Sequence, residues 1–227
     1  MNEILLKTIY GYINVVERIG QRDIIAILFP GYSYPNCDYA YFMNELSKKL
    51  LVDKNISSLM VSPFGHGESD GTLADLTYDK LAACLTTVCN YAKKINKKNK
   101  ICFISRGLFG YIPLCDNFNI NKSILIYPSS TFELPYINYN SIQLCDDNFY
   151  QINRRVIKDS GAKYSNIVGQ QINALLFEEI KSKLNKNTVN YVVIDSNVIN
   201  CSSNDYMELP NIRNQIIKQV IEEITNT

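Results

Sequence analysis

Lys100-Ile-Cys-Phe-Ile-Ser-Arg-Gly-Leu-Phe-Gly110 joins a continuous apolar run to a turn punctuated by two glycines. An apolar run of that length, closed by turn residues, is how a strand buried on both faces of a parallel sheet reads. Three other stretches have the same form: Asp23-Ile-Ile-Ala-Ile-Leu-Phe29, closed by Pro30-Gly31; Ile56–Ser62, closed by Pro63-Phe-Gly-His-Gly67; and Ser123–Tyr127, closed by Pro128. Helical periodicity fills the intervals. Asp38 is placed to cap a helix whose apolar residues are Tyr39, Phe42, Met43, Leu46 and Leu50, and Leu81, Leu85, Val88, Ala92 and Ile95 mark one face of a longer helix. Strands alternating with helices at this spacing predict an α/β fold with a mostly parallel central sheet flanked by helices.

Working outward, Glu3–Tyr10 and Tyr12–Arg18 read as two strands joined at Gly11, because their β-branched content argues against helix. On the far side, Gln170–Leu184 is predicted helical and Asn190–Asp195 a strand; Pro210 opens a last helix with Ile212, Ile216, Val220 and Ile224 on one face. Between them, from Thr131 to Gly169, the pattern breaks into Asn- and Tyr-rich sequence with one helix near Phe149–Lys158. A stretch that long is expected to be a cap or insertion in a single domain spanning residues 1–227.

The composition narrows the function. The chain has 227 residues, 46% hydrophobic and 20% charged, enough for one full core. Lys plus Arg number 23 and Asp plus Glu 22, so the net charge of +1 provides no footprint for nucleic acid or an anionic membrane. Lys93, Lys94, Lys97 and Lys98 sit near a helix C-terminus and read as a solvated end. The seven cysteines contain no C-x-x-C pair, which points to reduced thiols in a cytoplasmic protein rather than a zinc or redox site. Neither a leader nor a membrane span is expected, and no metal or cofactor is called for. A single histidine, His66, is available for proton transfer.

Ligand sites in such sheets lie at the carboxyl ends of the strands. There the loops Phe29-Pro-Gly-Tyr-Ser33, Gly65-His-Gly-Glu-Ser-Asp-Gly71 and Ile104-Ser-Arg-Gly-Leu-Phe-Gly110 occur in an order that resembles the α/β-hydrolase superfamily, serine hydrolases and thioesterases among them. The first resembles the oxyanion loop, the second the G-H-G-x-S turn, and the third the nucleophile elbow G-x-S-x-G-G. With Lys100–Ile104 as the strand, Gly107 falls where the resemblance puts the nucleophile. The alternative makes Ser105 the nucleophile but shifts the strand onto the more polar Lys98–Cys102. The first alignment is preferred.

The resemblance also implies a histidine base in the loop after the last strand, where Asn204 or Asp205 stands instead. His66 is read as a structural turn residue. The vestigial acid is Asp146, Asp147 or Asp195, left open among the three. Cys37 and Cys201 lie in the two loops as conceivable thiol nucleophiles, but are read as inert for want of a nearby histidine.

Tyrosines at 32, 34, 39, 41, 127, 136 and 139 suit a pocket for a ligand with an apolar body. The expected binding residues are Tyr32, Ser33, Arg106, Gly107, Leu108 and Asn204. No catalytic residue is assigned. The resemblance then implies an eroded Ser-His-Asp triad, and a non-hydrolytic binding or accessory protein, or an atypical enzyme, for a small acyl, peptidyl or carboxylate-bearing ligand. The competing expectation is an active esterase, thioesterase or amidase with Ser105 as nucleophile.

Overall fold

Apolar runs that alternate sides build one mixed sheet between two helical layers. A computed structural model describes residues 1–31, 38, 41–98, 100–126, 164–167, 170–173, 175–184, 190–194 and 210–226. In chain order the elements are β1 (Asn2–Thr8), β2 (Gly11–Arg18), β3 (Ile24–Phe29), α1 (Phe42–Lys54), β4 (Ser57–Ser62), α2 (Tyr78–Ile95), β5 (Lys100–Arg106), a 3₁₀ helix (Gly107–Leu114), β6 (Lys122–Ile126), β7 (Tyr164–Ile167), β8 (Gln170–Asn173), α3 (Leu175–Lys183), β9 (Tyr191–Ile194) and α4 (Pro210–Thr225). The sheet order is β1-β2-β4-β3-β5-β6-β9, parallel from β4 to β9. The β1–β2 hairpin joins antiparallel at one edge.

The two faces divide the core by strand parity. Ile25, Ile27, Phe29, Leu59, Val61, Ile101, Phe103 and Leu125 face α2, α3 and the 3₁₀ helix. Ala26, Leu28, Met60, Cys102, Ile104, Ile124, Ile126 and Ile194 face α1 and α4. Phe29 and Phe103 meet edge to face with ring centroids 5.1 Å apart. α4 is tied to the sheet by Lys122, a buried lysine whose Nζ donates to the Glu223 carboxylate at 2.7 Å and to its backbone carbonyl at 2.8 Å. α1 stops at Asn55, which adopts the left-handed conformation (φ +55°) that ends many helices. Its carbonyl accepts the amides of Gln21 and Arg22, joining the helix end to the turn before β3.

Three sequence expectations need correction. The first strand ends at Thr8, not Tyr10. Gln170–Leu184 is not one helix: Gln170–Asn173 pairs antiparallel with Tyr164–Ile167 as a separate hairpin, and helix begins at Leu175. Tertiary pairing has overridden a weak local helix preference there. Asp38 does not cap α1. Tyr41 is the flanking residue, with no side-chain cap bond, because Asp38 has φ +59° and its carboxylate is held elsewhere. The strand expected at 190–195 is present as β9, and β7 is the described part of the expected 131–169 insertion. The helix near 149–158 lies outside the described residues. Among the described residues, no helix is long and apolar enough to cross a membrane, and no group of three His, Cys, Asp or Glu side chains converges as metal ligands.

Phe103→Ala should cost about 3–5 kcal/mol, because the ring is wholly buried in a packed layer that cannot collapse around the void. Equilibrium denaturant unfolding against the parent chain measures it.

Candidate functional site

The register of β3 on β5 pairs Phe29 with Ser105, so the loop leaving β3 and the turn leaving β5 start side by side. β5 ends at Arg106, and Gly107 follows with φ +65°, opening the 3₁₀ helix. This strand, sharp turn and helix form an elbow with Gly107 at its tip. Left-handed backbone is cheap for glycine and strained for other residues. Among the described residues, a Cβ built on Gly107 meets nothing within 4 Å. Gly110 is constrained differently: a Cβ there would lie 3.1 Å from Leu125 Cγ, and the missing side chain lets the helix press against β6.

Ser105 sits inside β5 between β3 and β6 and is fully buried, its Oγ donating to the Arg106 carbonyl at 3.5 Å. Strand geometry therefore points this hydroxyl into a helix-covered layer rather than above the sheet. Leu108 is buried in the core and can offer a ligand only its backbone.

Arg106 is engaged inside the protein. Its Nε donates to Asp38 Oδ2 at 2.9 Å and its Nη2 to Oδ1 at 2.7 Å, while the Gly31 amide donates to Oδ1 at 3.1 Å. Asp38's side chain has no solvent exposure and Arg106's only 16%. This fork-on-carboxylate pair fastens the loop after β3 to the elbow. Sequence reading assigned the two residues to a helix cap and to ligand binding. The available signal was their isolation: Asp38 is the one acidic residue between Pro30 and Tyr41, and Arg106 the one basic residue between Lys100 and Lys122.

His66 lies in the turn after β4. Its amide donates to the Pro63 carbonyl, its carbonyl accepts the Ser69 amide, and its Nδ1 lies 2.9 Å from the Phe64 carbonyl, to which the neutral ring donates. The ring meets Phe109 of the elbow helix edge-on, centroids 5.5 Å apart. Burial lowers its pKa to about 4, against the smaller upward pull of the Phe64 and Pro63 carbonyls. At neutral pH it is an uncharged packing residue bonded to its own turn.

Cys84, Cys89, Cys102 and Cys115 are buried, and burial pushes the thiols of Cys84, Cys89 and Cys115 up to about 12, so these three stay protonated and inert. A cavity of about 520 Å³ opens at the other end of β5, beside Ile101, Cys89, Lys93 and Asn121, and neither Arg106, Gly107 nor Leu108 lines it. Tyr32, Ser33, Cys37, Asp146, Asp147, Asp195, Cys201, Asn204 and Asp205 lie outside the described residues.

Two measurements probe this arrangement. Arg106→Met strands a buried carboxylate and should destabilise by about 3–5 kcal/mol, with Arg106→Lys recovering little because it cannot fork; thermal and denaturant unfolding of both variants decide it. The lowered His66 pKa means the unfolded chain binds this proton first as pH falls. Stability from this group is therefore complete above about 6.5 and drains away as pH drops toward about 4. The full loss is about 3 kcal/mol. His66→Gln should flatten that part of the pH–stability curve.

No protein-family model matches the chain, and no curated protein matches it in sequence. Solved structures do. Est1E from Butyrivibrio proteoclasticus, with ferulic acid bound, superposes with a TM-score of 0.69 at 13% identity over 98% of this chain and 96% of its own. The α/β hydrolase GrgF from Penicillium sp. sh18 gives 0.66 at 12% identity over 99% and 98%. Mouse alpha/beta hydrolase domain-containing protein 10 gives 0.63 at 12% identity over 100% and 99%. With this sheet order, its flanking helices and the sharp turn after β5, the chain has the α/β-hydrolase fold.

Proposed function

We propose that this chain is a binding or accessory protein on a hydrolase-type scaffold, working without serine-mediated acyl transfer. The observation that carries the reading is Gly107: it occupies the elbow tip in left-handed backbone and brings no nucleophile there. The rest of the triad chemistry is equally short of parts. The chain has one histidine, which is buried and bonded to its own turn, and Ser105, the serine nearest Gly107 in sequence, is enclosed in β5. An unactivated serine hydroxyl is a poor nucleophile without a base in hydrogen-bond reach.

The ligand class follows from the same corner. Gly107 opens the 3₁₀ helix, and the start of a helix, where backbone N–H groups point along the axis, favours a carbonyl or carboxylate oxygen. With Arg106 committed to Asp38, recognition would rest on backbone donors. A small acyl, peptidyl or carboxylate-bearing molecule with an apolar body is the ligand class proposed, Tyr32, Ser33 and Asn204 being the further residues the sequence assigns to it. Ferulic acid, an aromatic carboxylate, is the molecule named with the structurally similar Est1E and is a reasonable first probe.

The purified protein should hydrolyse p-nitrophenyl acetate no faster than background and resist labelling by a fluorophosphonate probe. Stoichiometric labelling abolished by Ser105→Ala would replace this reading with an active esterase. In calorimetry against ferulic acid and short acyl carboxylates, Gly107→Leu should block binding at a strain cost of about 1–2 kcal/mol in stability. Binding that survives the leucine would remove the pocket from this site.

A further inference from the structure

β1 is the outermost strand of the sheet. Which of its backbone groups face outward follows from β2. Tyr12 donates its amide to Asp70 Oδ2 at 2.7 Å and accepts the Asp70 amide at 2.9 Å, and Asn14 donates its amide to Ser69 Oγ at 2.8 Å. Both residues therefore turn their backbone amides away from β1, where their register partners are Lys7 and Leu5. Paired residues of an antiparallel ladder alternate between bonded and non-bonded. The N–H and C=O groups of Glu3, Leu5 and Lys7 thus point out from the edge. Among the described residues no strand pairs with them.

An open edge of this kind is a template for another strand, and natural sheets blunt it with charge, proline or bulges. This edge has no proline, and its two charges are one of each sign. Exposed beside it are Leu5 (60%), Met1 (83%) and Ile9 (85%). Laid antiparallel against a copy of itself with Leu5 on the two-fold axis, the strand pairs Glu3 with the partner's Lys7, Lys7 with the partner's Glu3, and Met1 with the partner's Ile9. Glu3, Leu5 and Lys7 all turn their amides outward, so the ladder bonds form in the same register that matches the charges. A one-residue slip sets outward groups against inward ones. A two-residue slip sets Leu5 opposite a charge. On the other face, Ile4 and Leu6, already packed against the core beneath α2, would meet the partner's Leu6 and Ile4 and extend that apolar layer.

We propose that β1 is a self-complementary dimerisation strand, through which two copies of this chain form one continuous sheet about a two-fold axis. The contact is isologous and closes at two copies, leaving no free β1 edge for further addition. It is independent of what the elbow binds.

Sedimentation equilibrium of the full chain from roughly 1 to 100 μM tests it. The parent chain should dimerise. Glu3→Lys and Lys7→Glu each set two like-charge pairs across the axis and should weaken the dimer by about tenfold or more. The double variant Glu3→Lys/Lys7→Glu should restore it, and mixing the two single variants should give a heterodimer, since one then presents two lysines and the other two glutamates. Glu3 also accepts from Asn14 Nδ2, so Leu5→Pro tests the edge separately: it deletes an outward N–H that β2 does not use. A parent chain monomeric throughout, or charge variants that dimerise like it, would overturn the proposal.

Discussion

The pairing of β3 with β5, Phe29 beside Ser105, is the constraint on which the rest of the molecule hangs. Both strands are enclosed by side chains on their two faces, so neither can shift by one residue without exchanging its core contacts between the helical layers. Their carboxyl ends release two loops next to each other. Asp38 can then reach Arg106 with both carboxylate oxygens and hold Gly31 as well. Taking two charges out of water is costly, and geometry this close, with an added backbone donor, is what offsets the cost. The result is a tied junction at the carboxyl ends of the two strands, built from charges that face each other.

Much of this was legible because buried parallel strands write themselves as uninterrupted apolar runs. Ile24–Phe29, Ser57–Ser62 and Lys122–Ile126 fall within or beside the stretches the sequence marks. The elbow glycine was also legible, since placing the apolar run as the strand leaves Gly107 at its end. Less legible were features decided by partners distant in sequence. Asp38 resembles a cap until Arg106, far along the chain, is seen to claim its carboxylate. Gln170–Asn173 has no strong strand character of its own, and only its pairing with Tyr164–Ile167 separates it from the helix that follows. Tyr78, which the helical face picked out in the sequence does not include, donates its hydroxyl to Asp116 and its amide to Glu179, joining α2 to the segment after the 3₁₀ helix and to α3.

His66 shows how one residue type carries opposite meanings. A lone histidine next to glycines invites a catalytic reading, but its ring is edge-on to Phe109 and its proton serves the Phe64 carbonyl. The same burial that makes it a good packing group holds it uncharged, and an imidazole that must stay neutral to remain folded is a poor store for a proton.

A glycine at the elbow also changes what its neighbours must do. A side-chain-bearing residue in left-handed backbone persists only when the surrounding structure holds it there. Gly107 adopts φ +65° without such enforcement. The positions around it are released from bracing duty and free to serve the interior. Phe109 is the visible case: where the elbow pattern has a small residue, an aromatic ring reaches Phe29 on one side and His66 on the other, so the turn after β5 is packed into the core by its own third residue.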